Sequence, residues 1–129
     1  MKNLIAILSA AFILIPGLLW AHEGVATSHR DAIQLAMKKS IMTTIDHNAN
    51  GKFPVYDPGL KAVIQLQFKN LHDSVEMMGR ENPYFISCAD FVDDKGVLYD
   101  LDFLLSKKYE VVAVLIHSRD GKKIPYNID

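Results

Sequence analysis

The chain has 129 residues, half of them hydrophobic, with 14 Lys and Arg against 15 Asp and Glu and a single cysteine. That length suits one domain with one core, and the near-neutral charge excludes an electrostatic case for nucleic-acid binding. One cysteine excludes any intramolecular disulfide, so packing alone must hold the fold together.

Residues 1–21 read as a secretory signal peptide. Lys2 provides the positive start, Leu4 to Ile15 is apolar apart from Ser9, and Pro16-Gly17 breaks the run before Leu19-Trp20-Ala21. The run is too short to span a bilayer, so no permanent membrane anchor is expected. Cleavage after Ala21 is preferred to a cut after Ala26. It leaves 22–129 as a single periplasmic or secreted domain that begins with His22.

Further along, Ile33, Met37, Ile41 and Ile45 recur every fourth residue, while Leu35, Ala36 and Met42 widen the stripe. Arg30, Gln34, Lys38 and Lys39 lie mostly opposite, and the spacing predicts one long amphipathic helix. Thr27-Ser28 offers an N-cap. Asn48, Asn50 and Gly51 offer the stop, because both residue types accept the left-handed conformation of a C-cap.

Period-two segments fill the remainder. Lys61 to Asn70 alternates, with Ile64, Leu66 and Phe68 on one face. Residues 71–83 read as an irregular connection or short helix closed by Arg80-Glu81-Asn82-Pro83. Tyr84 to Val92 and Val97 to Leu105 form a hairpin about Asp93-Asp94-Lys95-Gly96, with Asp100 and Asp102 opposite an apolar row. Glu110 to His117 is an apolar strand, and Asp120-Gly121 turns into Lys122 to Ile128.

These elements predict an α+β fold, with one long N-terminal helix packed on a four- to five-stranded antiparallel bent sheet. The element order is similar to that of cystatin-like and nuclear-transport-factor-like folds, which does not by itself assign a function. The strand from Val111 to Ile116 is apolar on both faces, so a homodimer or a small apolar pocket is expected, the dimer being the simpler.

Four constellations carry candidate chemistry. Asp46, Asn48, Asn50 and Gly51 match the opening of a calcium loop, with Asp57 at its twelfth position. Asp in place of the longer Glu, and Pro54 at the ninth position, predict weak calcium binding at best. A helix cap and turn account for the same residues more simply. His22, as a new amino terminus, could offer amine and imidazole to copper or zinc, but no ligand spacing accompanies it. Cys88 with His72 and Asp90 or Asp73 could make a hydrolytic nucleophile, base and orienter, yet a mid-strand cysteine reads more simply as a buried small hydrophobe. Asp100 and Asp102 share one strand face with Asp90 contributed from the strand before, a pattern that a solvated face also explains.

The resulting expectation is an exported, non-enzymatic domain that binds a protein, a small molecule or a second copy of itself. It would use the open sheet face and the 71–83 segment, with His72, Asp73, Asp100 and Asp102 as polar contacts. No cofactor beyond weak calcium is implied. Metal handling and hydrolysis are the alternatives.

Overall fold

The computed structural model describes residues 27–126. The signal-peptide reading of residues 1–21 and the amino-terminal His22 lie outside the described residues. Helix α1 (Thr27–His47) follows from the fourfold spacing of its apolar residues. Ile33, Met37 and Ile41 are fully buried, and Ala36, Met42 and Ile45 pack beside them. Each fully buried aliphatic side chain contributes roughly 2 kcal/mol of hydrophobic stabilisation. Leu35 does not belong to this stripe: two residues from both Ile33 and Met37, it points roughly 200° around the axis and is 70% exposed. The helix ends where Asn48 donates through Nδ2 to Lys52 O and Gln65 Oε1, both at 2.8 Å, and Gly51 takes a positive φ of 67°.

Six strands follow: β1 (Phe53–Asp57), β2 (Ala62–Met78), β3 (Tyr84–Val92), β4 (Leu98–Leu105), β5 (Val111–Arg119) and β6 (Lys122–Lys123). They form one antiparallel sheet in chain order. The count exceeds the expected four or five by β1, which is too short to show period two, while the run expected from Lys122 pairs over only two residues as β6. Pro54 further disguises β1, and it is tolerated because β1 is an edge strand. The helix covers one face of the sheet, where Phe53 meets Phe91 and Phe103 at ring separations of 5.0 and 5.9 Å. No helix among the described residues is long and apolar enough to cross a membrane.

The irregular connection expected over 71–83 is mostly strand. β2 continues to Met78, and Val75 to Met78 pair with Ser87 to Tyr84. Two register shifts, between Phe68 and Asn70 and between Leu71 and Val75, interrupt the pairing. Such bulges break the period-two signature and bend the strand, so this stretch of sequence resembles a loop. Gln34 of the helix donates to the His72 carbonyl at 2.9 Å, which holds the second bulge against α1.

The sheet also curls. β1 and β5 are separated by three strands, yet Asp57 of β1 forms an ion pair with Arg119 of β5. The Asp57 side chain is fully buried, and its Oδ1 accepts from Gly59 N at 2.8 Å and Leu60 N at 3.2 Å. Arg119 also lies 5.6 Å over the Tyr99 ring. Between β4 and β5 the chain turns with Tyr109 at φ 61°, an unusual conformation for a bulky residue. Ring packing on Phe85 and a bond to His29 hold it there.

Removing one partner of the Asp57–Arg119 pair strands a buried charge, which costs far more than the pair itself contributes. Arg119→Ala should therefore lower unfolding free energy by about 3 kcal/mol in urea titrations. A loss no larger than that of an ordinary surface arginine would show that the pair does not close the sheet.

Candidate functional site

The side chains that carry chemistry gather on the sheet face opposite the helix. In β3, Phe85, Ser87, Ala89 and Phe91 are buried toward α1, while Tyr84, Ile86, Cys88 and Asp90 alternate onto the other face and are half-buried. Register then sets Cys88 directly across from Asp102, and Asp90 across from Asp100. β5 adds His117, at an irregularity that lies between the Asp100–Ser118 and Leu101–Ile116 pairs. The second bulge of β2 adds His72.

Asp102 is the hub. Its side chain is only 4% exposed, although it lies on the face away from the helix. Oδ1 accepts from Cys88 Sγ at 2.8 Å, Oδ2 accepts from His117 Nδ1 at 2.8 Å, and Tyr126 donates its hydroxyl to Oδ2. The segment after β6 folds over this face, tied by Ile124 N donating to His117 O at 2.8 Å. An open recess of about 290 Å³ lies there, lined by His117, Lys123, Ile124, Pro125 and Tyr126.

Beside the hub, His72 Nε2 donates to Asp90 Oδ1 at 2.9 Å, and Asn70 Nδ2 reaches Asp90 Oδ2 at 3.3 Å. Asp100 completes the group. One of its carboxylate oxygens, Oδ1, is buried without a hydrogen-bond partner. Burial raises the Asp100 carboxyl above its ordinary range, and Asp102 and Asp90 add to that rise, while His72 and His117 pull it down. His72, Cys88 and Asp100 each bring one ligand-capable atom within 4.8 Å of the other two.

The Cys88 thiol is pushed far up, first by burial, then by its bond to Asp102 and by the charges of Asp102, Asp100 and Glu76. Burial and the same Asp102 bond push the Tyr126 phenol up. A cysteine nucleophile needs cationic or helix-terminal surroundings, and these carboxylates do the opposite. With these neighbours alone the cluster does not make an activated thiolate.

Of the residues singled out from sequence, His72, Asp100 and Asp102 come together on this face, while Asp73 is exposed in the bulge beside His72. The solvated face expected for Asp102 is instead covered by Tyr126 and flanked by His117. Cys88 is not a core hydrophobe: it faces away from α1 and meets Asp102. Of the residues in the calcium-like spacing, three have partners of their own. Asp57 is held by Arg119, Asn48 is bonded to Lys52 and Gln65, and Asn50 Oδ1 accepts from Lys52 N at 3.1 Å. Nothing in the sequence alone ties His117 or Tyr126 to Asp102. His117 sits at the end of an apolar strand, and the covering tail carries no local signal of its destination. Comparison with known proteins returned no match: no family model fits the chain, and neither a curated protein nor a solved structure is significantly similar.

The raised thiol has a measurable consequence. In chelator-treated folded protein, Cys88 should react with iodoacetamide more than tenfold slower than in urea across pH 7 to 9, because little thiolate forms. The folded thiol ionises above its unfolded value, so the folded state retains a proton that the unfolded chain loses. Stability should thus fall as pH rises past the ordinary thiol range, and Cys88→Ser should lessen the fall. Equal labelling rates in the folded and unfolded states would contradict this picture.

Proposed function

We propose that the protein is an exported, non-enzymatic binding domain that works in the periplasm or outside the cell. Its working surface is the sheet face opposite α1, centred on His72, Asp100, Asp102 and His117. The observation that carries this reading is the placement of Asp90, Asp100 and Asp102 together on that face, with Asp100 Oδ1 buried and unpartnered. Like charges directly opposite one another destabilise a sheet, and a buried acceptor without a donor costs stability. Natural sequences keep such costs where a site needs them, since most folds sit only just above their stability threshold.

The binding element expected at 71–83 is replaced in this reading by the β2 bulge around His72. Support for export comes from the charged start, apolar run and small-residue end of residues 1–21. The chemistry of Cys88, a thiol held protonated by burial and by the carboxylates beside it, favours binding over cysteine-based hydrolysis.

The test is a trade-off measurement. Asp100→Asn keeps the shape and removes the charge, so it should raise unfolding free energy by about 1 kcal/mol at neutral pH. Thermal and urea unfolding of wild type and variant measure it. A destabilised Asp100→Asn protein would mean that the carboxylate serves the fold, and the proposed working surface would lose its support.

A further inference from the structure

We infer that His72, Cys88 and Asp100 form a binding site for a thiophilic divalent cation of the zinc class. This rests on the reading of the sheet face as the working surface, and names what that face holds. The geometry comes first: a ring nitrogen, a sulfur and a carboxylate oxygen lie mutually within 4.8 Å, on three different strands. The mixed nitrogen, sulfur and oxygen donor set suits zinc, whereas magnesium and calcium take oxygen ligands almost alone.

Three further observations point to a cation. Asp100 Oδ1 is buried with no donor, although Asp100 sits among Asp90 and Asp102. Three carboxylates share the face with two imidazoles, and a divalent ion would offset that excess. The surrounding bonds also have the form of a supporting shell. Asp90 holds His72 through Nε2, a carboxylate–histidine pairing of the kind that orients metal-ligating imidazoles. The carbonyl of His72 is fixed from the other side by Gln34, so the residue is set by packing rather than by a loose loop.

Cys88 fits the same scheme. Without metal the thiol keeps its proton and donates it to Asp102. On binding, the sulfur–metal bond replaces the S–H bond, and one proton leaves through Asp102 to water. A coordinated cation reverses the local preference, so a thiol that is inert alone becomes a thiolate ligand. Three protein ligands leave a fourth tetrahedral position open to water or to a bound ligand on the half-exposed face.

Cobalt(II) is the probe, since thiolate ligation gives it a near-ultraviolet charge-transfer band. Chelator-treated protein titrated with cobalt should develop this band, saturate at one equivalent, and lose it when zinc is added. Zinc alone should raise the melting temperature, by linkage. Cys88→Ser should abolish the band. His72→Ala and Asp100→Asn should each weaken cobalt binding at least tenfold, and Asp46→Ala should leave it unchanged. Absence of the band, or a zinc-induced shift equal in wild type and all three site variants, overturns the metal site. Stabilisation by Asp100→Asn separates the two ideas. No band with a stabilised variant removes the cation and leaves the working surface, whereas no band with a destabilised variant removes both.

Discussion

The register between β3 and β4 is the constraint from which both faces of this molecule follow. Ala89 opposite Leu101 and Phe91 opposite Tyr99 put apolar side chains beneath the helix. The intervening pairs, Cys88 with Asp102 and Asp90 with Asp100, are thereby forced onto the other face. A slip of β4 by one residue would turn Asp100 and Asp102 under α1 and expose Leu101 and Phe103. The hydrophobic core thus enforces the polar cluster. No separate device is needed to bring Cys88 and Asp102 together, because the pairing that packs Phe103 also sets their distance.

Much of the fold could be read from the chain because local patterns and burial agree. The fourfold spacing of Ile33, Met37 and Ile41 marks the helix, and the alternation of Val97, Tyr99, Leu101, Phe103 and Leu105 marks the central strand and its inward face. The site was legible in part. The parity of Asp100 and Asp102 put them on one face, and His72 stood out among irregular residues. What could not be read is non-local. Cys88 shares parity with Asp90, but only the hairpin register places it across from Asp102. His117 joins at an irregularity where alternation fails, and Tyr126 arrives from a tail that turns back over the sheet. Asp57 misled for a similar reason. Its position in a calcium-like spacing is a local fact, whereas its partner Arg119 lies 62 positions downstream.

The two acidic features have different physics. Asp57 is buried, but it is ion-paired with Arg119 and its other oxygen accepts from two backbone amides, so it locks the curl of the sheet. The Asp90, Asp100 and Asp102 group lies where an ordinary two-sided sheet would meet water, yet the tail through Tyr126 covers part of it. There the bonds made by His72, Asn70, Cys88, His117 and Tyr126 satisfy Asp90 and Asp102 but leave one oxygen of Asp100 free. A fold optimised for stability alone would replace that carboxylate. In the proposed reading that carboxylate is kept for binding, and the neighbouring nitrogen and sulfur donors suit a soft or borderline cation better than calcium.

Anomalous diffraction at the zinc edge, from crystals of the chain grown with zinc, tests this account most directly. It predicts a single strong peak between the side chains of His72, Cys88 and Asp100, on the sheet face away from the helix. A peak beside Asp46 and Asn50 instead, or no ordered zinc at all, would contradict it.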